Sequence, residues 1–302
     1  MTASSKFGKV AVFYGGSSHE REISLQSGAA VADGLLAAGV DVQIVDTADR
    51  NIDFSLFDRV FIALHGRDGE DGKIQALLDY YQVPYTGSSV SASSVSMNKW
   101  YTKAVWQSVG IKTPGYLIVG NVLNVDLDGI DFPVYVKPVN EGSSIGVSYV
   151  LEASLLDEAI EKAAQYDDFV VIEQAILGKE YTYSFIDGVP DMPLICLEPA
   201  TDFYDYDAKY LRDDTRYIVD PPLEETLKRQ FASSSVLAYQ SIGMSGWGRV
   251  DFMVDENNEA WFIEVNSVPG MTGHSLVPMS AQAAGLDFGS TCLAILESSL
   301  HG

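Results

Sequence analysis

Asp251 lies in one apolar run, Arg249 to Val254, and Glu264 and Asn266 lie in or beside another, Ala260 to Val265. Between the runs, Glu256-Asn257-Asn258-Glu259 has the chemistry of a hairpin turn. Residues two apart on a strand share a face, so Glu264 and Asn266 point together. Simple pairing across the turn leaves Asp251 beyond direct opposition to Glu264, yet within reach of a shared ion. Two carboxylates and an amide oxygen make an all-oxygen set suited to Mg²⁺. The plainer reading is a hairpin with ordinary surface acids. The apolar neighbours Val250, Phe252, Phe262, Ile263 and Val265 argue against it.

Arg249 precedes Asp251 by two, on the same face, and is flanked by Gly246, Trp247 and Gly248. Glycines admit close approach of other segments, so Arg249 reads as a donor aimed at a reacting carboxyl or its oxyanion. Such a donor is worth ~2.7–4 kcal/mol. Lys137 ends the apolar run Val134 to Lys137, which delivers a charge into a cleft or snorkels to solvent. Glu173 has two readings as well, a hydrogen bond to a ribose or a cap on a sheet edge. His65 follows the run Val60 to Leu64, as a structural histidine or a direct participant. Glu20 stands just past the first strand, where it answers a helix dipole or pairs with a substrate ammonium.

No G-x-x-x-x-G-K-[ST] and no G-x-G-x-x-G occurs, so a P-loop and a dinucleotide fingerprint are excluded. Gly142-Ser143-Ser144-Ile145-Gly146 fits G-x-S-x-G, but a nucleophile elbow needs a strand before it and a helix after it. Pro138 breaks the preceding strand early, and Val147 to Val150 reads as a strand. The segment reads better as a flexible loop whose backbone donors close over phosphate.

The elements that must position these residues fall into an α/β part and α+β parts. Lys9 to Tyr14, Val40 to Val45 and Val60 to Leu64 are strand-like. They alternate with helical patterns from Ile23 to Ala38 and Ile74 to Tyr81, which implies a parallel sheet with helices on its faces. The serine-rich Gly87 to Ser96 reads as a domain boundary before a helix from Met97 to Val109. Strands follow at Gly115 to Val119, Val134 to Lys137, Gly146 to Val150 and Phe169 to Ile176, with a helix over Ser154 to Tyr166. Tyr181 to Ile186, a turn at Asp187-Gly188 and Val189 to Leu194 read as a hairpin. Pro199 to Arg216 is a long polar segment of the kind used as a lid. Glu224 to Ser241 is helical, and helices follow Pro278.

The 302 residues are 47% hydrophobic and carry a formal charge of -23, from 42 acidic and 19 basic side chains. That field repels nucleic acid and anionic lipid, so neither is an expected partner. If a substrate carries phosphate, a few lysines and a metal must reverse the sign locally. Two cysteines without a CxxC spacing exclude a zinc ribbon or redox pair. No stretch approaches the ~20 apolar residues of a membrane span, and the N-terminus lacks a signal-peptide core. A cytoplasmic location is expected.

Eight segments run in order over nearly the whole chain: GGSSHEREIS (15–24), LHGRDGEDG (64–72), PYTGS (84–88), MNK (97–99), VKPVNEGSSIGVS (136–148), FYDYDAKYL (203–211), GWGRVDF (246–252) and IEVNSVPGMTGHSLVP (263–278). Together they resemble the D-alanine–D-alanine ligases of the ATP-grasp superfamily. The resemblance implies an ATP-grasp fold, with an N-terminal parallel α/β domain (1–94) followed by two α+β domains (95–177 and 178–302) that clamp ATP. It implies that Lys99 and Lys137 meet the nucleotide phosphates and that Ser143 and Ser144 lie in the loop closing over them. It places Glu173 and Glu180 at adenosine. Asp251, Glu264 and Asn266 would hold two Mg²⁺ ions, with Mn²⁺ as the alternative ion. Glu20 would pair with the ammonium of a first D-alanine, near His65. Arg249 and the Gly270 N–H would be oxyanion donors, and Ser275 and Leu276 would grip the second D-alanine. Lys209 and Tyr210 would sit in a mobile loop, Lys209 toward the transferring phosphoryl group.

The implied activity joins two D-alanines through a D-alanyl phosphate, for peptidoglycan precursors, in a homodimer. Gln174 and Ala175 depart from the basic and aromatic residues that the family often has beside adenine. Two rivals remain: a ligase making D-alanyl-D-lactate, against which Tyr210 argues, and a non-catalytic ATP-binding scaffold, against which the metal triad, Arg249 and Glu20 argue.

Overall fold

In the computed structural model the described residues are 6–120, 130–198 and 215–300, and they form three sheets. Lys209 and Tyr210 lie outside them. The first sheet is parallel, in the order β2 (Asp41–Asp46), β1 (Lys9–Tyr14), β3 (Arg59–Ile62). Its middle strand is buried on both faces, as the unbroken run KVAVFY requires. Helices α1 (Arg21–Ala37) and α2 (Lys73–Tyr81) follow strands β1 and β3. The ends of β1 and β3 are tied together through Ser24 on α1. Its hydroxyl accepts from the Gly15 N–H at 2.8 Å and donates to the Ala63 carbonyl at 2.7 Å.

The serine-rich stretch contains helix α3 (Val90–Met97). Ser89 caps it, accepting from the Ala92 N–H. The buried Ser93 and Ser96 satisfy their hydroxyls on the carbonyls of Ser88 and Ser93. Serines that bond backward to the backbone fit a buried helix without orphaned polar groups. Helix α4 (Lys99–Ser108) is separate from α3, because Asn98 adopts an extended ψ of 102° and caps α4 by accepting from the Tyr101 N–H.

The second sheet is antiparallel, in the order β4 (Tyr116–Val119), β7 (Val170–Gln174), β5 (Val134–Pro138), β6 (Ser148–Val150). Helix α5 (Leu156–Ala163) packs on it through Leu156, Ala159, Ile160 and Ala163. The third sheet is also antiparallel, in the order β10 (Arg216–Val219), β9 (Ile195–Glu198), β8 (Lys179–Ile186), β11 (Trp247–Val254), β12 (Ala260–Asn266). The expected strand Val189 to Leu194 is not one. Pro190 and Pro193 lack donors, Asp191 is left-handed (φ 55°), and pairing with β8 resumes only at Ile195. Helix α6 (Glu225–Ser241) covers β11 and β12.

Helix α7 (Leu276–Ala283) packs against β8 and β10 of the third sheet, and helix α8 (Phe288–Glu297) returns to α1 beside the first sheet. Cys292, Ile295 and Leu296 of α8 share one core with Val31 and Leu35 of α1 and with the strands β1 and β3. Among the described residues no helix is long and apolar enough to cross a membrane.

Candidate active site

A cleft of ≈ 370 Å³ is lined by residues of the second and third sheets. Tyr135 and Lys137 of β5 and Glu173 and Gln174 of β7 line it from one sheet; Glu180, Leu197, Glu198, Asp251, Met253, Ile263 and Glu264 line it from the other. Lys99 of α4 and Glu141, Gly142 and Ser144 of the loop after β5 line it as well.

Asp251 and Glu264 are direct cross-strand partners, and Arg249 pairs with Asn266. This corrects the expected offset. A β-bulge after Asp251 shifts the register, so that Phe252 faces Phe262 while Asp251 faces Glu264. With an unbroken register Asp251 would oppose Ile263, and Glu264 would oppose the buried Val250 on the core side. The bulge therefore reverses the alternation and brings both carboxylates to the cleft.

Asp251 is clamped from three sides. Arg249 donates to it twice, Nε to Oδ1 at 2.8 Å and Nη2 to Oδ2 at 2.7 Å. Thr182 of β8 donates to Oδ1 at 2.7 Å, and the Asn266 amide to Oδ2 at 3.0 Å. Lys99 Nζ lies 3.8 Å from Glu264 Oε2 and also donates to the Glu141 carbonyl.

The donor set fits a hard divalent cation, since every nearby candidate ligand is an oxygen. The third candidate, Asn266, is an amide, and no group of three His, Cys, Asp or Glu gathers for a metal among the described residues. Six carboxylates and three lysines line the cleft (Glu141, Glu173, Glu180, Glu198, Asp251, Glu264 against Lys99, Lys137, Lys179). A polyphosphate entering that wall needs added positive charge.

Glu173 sits on the middle of β7, paired with Tyr116 on one side and Tyr135 on the other. Its carboxylate takes Lys137 Nζ on Oε1 at 2.7 Å and Lys103 Nζ on Oε2. Burial opposes its charge, but the two ammonium groups win and hold its pKa below the ordinary value.

The loop after β5 carries two successive left-handed residues, Ser143 (φ 50°) and Ser144 (φ 59°). That conformation is costly outside glycine and is tolerated where a site needs it. It splits the two serines: Ser144 lines the cleft, and Ser143 donates its hydroxyl to Glu20 Oε2. Glu20 is 5% exposed and precedes the first turn of α1. Arg67 fastens this loop to the first sheet, its Nε donating to Glu141 Oε1 at 2.6 Å and its Nη2 to the Tyr166 carbonyl at 2.6 Å.

His65 is buried, with its Nδ1 2.8 Å from the Val268 carbonyl and its Nε2 3.0 Å from Ser27 Oγ. The carbonyl accepts only, so Nδ1 carries the proton and Nε2 accepts from Ser27. Burial pushes its pKa down to about 4. Ser27 Oγ also accepts from the Met271 N–H at 3.1 Å, so both partners of His65 fix the segment that carries Gly270.

Glu70 takes the N–H groups of Gly66 and Val268. Burial first, then the charge of Glu20, raises its pKa to about 8. Ser275 stands at the N-cap position of α7, but its Oγ turns away from the helix to accept from the Thr272 N–H at 2.9 Å, and a Cβ on Gly270 would come 2.8 Å from that oxygen. Leu276 buries its side chain with Ile195 and Leu197.

Sequence reading passed over Glu141, Arg67, Thr182 and Lys103. Lys103 had a legible signal, four residues after Lys99 on one helical face. Thr182 had none, since its partner Asp251 is on another strand.

The family model described as D-ala D-ala ligase N-terminus matches residues 46–88, and the one described as D-ala D-ala ligase C-terminus matches 105–297. A D-alanine--D-alanine ligase of Acinetobacter baumannii is 46% identical over 307 residues, covering 100% of this chain and 99% of the relative. One from Dechloromonas aromatica is 46% identical over 300 residues, covering 97% and 98%. The crystal structure of D-alanine--D-alanine ligase from Bacillus anthracis matches with a TM-score of 0.86 at 33% identity, over 97% of each chain. The structure of that ligase complexed with ATP matches with a TM-score of 0.84 at 30% identity. Sequence identity over the full length, both family models and a shared fold agree: the chain belongs to the D-alanine–D-alanine ligase family.

Proposed function

We propose that the cleft binds ATP and that the chain joins two D-alanine molecules through a D-alanyl phosphate, releasing ADP and phosphate. One observation carries this reading. A bulge turns Asp251 and Glu264 to one face of the cleft that Lys99 and Lys137 also line. A carboxylate is a poor electrophile, and phosphorylation makes it attackable; that transfer needs positioning and charge neutralisation above all.

Lys99 and Lys137 hold the phosphates, Ser144 closes over them, and Glu173 and Glu180 take the adenosine. Asp251, Glu264 and Asn266 would hold Mg²⁺, or Mn²⁺ in its place, which neutralises the terminal phosphates when bound. Glu20, steadied by Ser143, pairs with the first ammonium. Arg249 and the Gly270 N–H receive the developing oxyanion, while His65 holds the Gly270 segment in place. Ser275 and the Leu276 N–H meet the second carboxylate, and roles for Lys209 and Tyr210, which lie outside the described residues, belong to the same reading. The division at residues 94 and 177, a homodimer, a cytoplasmic setting and a role in peptidoglycan precursor synthesis belong to the same reading.

The test is a panel of D-amino acids and D-lactate with ATP, read by product mass and phosphate release. Phosphate release that requires D-alanine, with D-alanyl-D-alanine as the product, is expected. Phosphate release indifferent to the amino acid overturns the ligase reading, and a depsipeptide as main product overturns its substrate assignment.

A further inference from the structure

Lys103 takes no part in the chemistry above, yet it is 0% exposed. A buried ammonium persists only where partners offset its lost hydration. Its Nζ meets Glu173 Oε2 and donates to Thr113 Oγ1 at 2.6 Å, and it lies 5.7 Å from the centroid of the Tyr116 ring. The Thr113 hydroxyl is committed as a donor to the Phe262 carbonyl at 2.8 Å, so its oxygen is turned to accept from Lys103. The ammonium is thus pinned from α4, β4 and β7, and through Thr113 to β12.

Glu173 and Lys137 line the cleft, and Lys103 does not; it stands behind the carboxylate. One carboxylate therefore lies between two ammonium groups, with a surplus positive charge. We propose that Lys103 is a positioning residue that neutralises Glu173 from behind and so leaves the charge of Lys137 to an anionic phosphate in the cleft.

Without Lys103, Glu173 and Lys137 close into a neutral pair. In a wall where carboxylates outnumber lysines, that loss falls on the anion. The titration behaviour agrees. Burial draws Lys103 down to about 8 against the attraction of Glu173, while Glu173 is held below its ordinary pKa, so both are charged at neutral pH.

This inference rests on the reading of the cleft as the ATP site. The experiment uses the full chain, with ATP affinity by calorimetry, KM for ATP and for D-alanine, and thermal unfolding. Lys103→Met keeps the length of the side chain and removes its charge. It is expected to weaken ATP binding and raise the KM for ATP by about 10- to 100-fold, the scale of one charge-assisted contact. The KM for D-alanine should hardly move.

The double variant Lys103→Met/Glu173→Gln removes the buried pair together. It is compared with Glu173→Gln alone, because Glu173 also meets the adenosine; with the amide no longer consuming Lys137, losing Lys103 should cost that background little further ATP affinity. A purely structural lysine predicts a loss shared by both substrates and as large an ATP loss in the Glu173→Gln background as in the wild type, and that result overturns the proposal. A folded Lys103→Met protein with wild-type affinity for ATP overturns it too. If Lys103→Met does not fold, the double variant decides against Glu173→Gln: ATP affinity less than tenfold below that of Glu173→Gln supports the proposal, and affinity at least tenfold below it overturns it. Failure of the wild-type chain to bind ATP at all sinks the reading of the cleft instead.

Discussion

Arg249 illustrates how one side chain can serve two partners. Its guanidinium grips both oxygens of Asp251 in a planar fork, a geometry that a lysine cannot reproduce. It is also the donor proposed for the oxyanion. Arg249→Ala is expected to lower kcat by about 10²–10³ while ATP binding, followed by calorimetry, stays close to wild type. His65 gives a second residue-scale prediction. Its pKa falls from 6.5 to about 4 on folding, because burial disfavours the imidazolium. The unfolded chain then takes up a proton as pH drops below 6.5, and the folded chain does not until about 4. Stability from this group is therefore lost as pH falls through that window, by up to about 3 kcal/mol. Against His65→Gln, the wild-type advantage in urea unfolding should shrink from pH 7.5 to pH 4. An advantage constant with pH would show that the imidazole does not titrate differently in the two states.

The elements explain what was legible in the sequence. Unbroken apolar runs such as KVAVFY revealed the parallel strands, and the Glu256 to Glu259 turn revealed the β11–β12 hairpin. The bulge was hidden, because one extra residue leaves composition unchanged and shows only as buried positions three apart, Phe262 and Val265. Helix α3 was hidden for another reason. Serine usually marks loops, and here its hydroxyls bond back to the carbonyls of Ser88 and Ser93. The ion pair between Arg67 and Glu141 joins segments 74 residues apart, a distance no local pattern reports. It holds the loop that bears Ser143 and Ser144. Arg67→Ala is expected to reduce kcat/KM by about tenfold to a hundredfold, since small misplacements of reacting groups carry such costs. Limited proteolysis within residues 140–147 should speed up in the same variant. Unchanged cleavage there would mean that the loop holds itself.

At the scale of the whole molecule, the first core is closed by the last helix. Gly34 of α1 faces α8 closely: a Cβ there would come 3.1 Å from the Phe288 ring and 3.3 Å from Cys292 Sγ. Gly34→Leu is expected to pry the helices apart and destabilise the fold by about 1–3 kcal/mol, measured by chemical denaturation. The three sheets with their helices were legible as an α/β part and α+β parts. The return of α8 to α1 was not, because an apolar helix does not announce which partner it seeks. That return has a consequence for synthesis. A ribosome finishes Val31 and Leu35 long before it reaches Ile295 and Leu296, yet these four side chains share one interior. The opening strands and helix of the nascent chain must wait, their greasy surface uncovered, until α8 has been made. A message broken shortly before codon 287 would release a product fit for chaperones and proteases rather than for work.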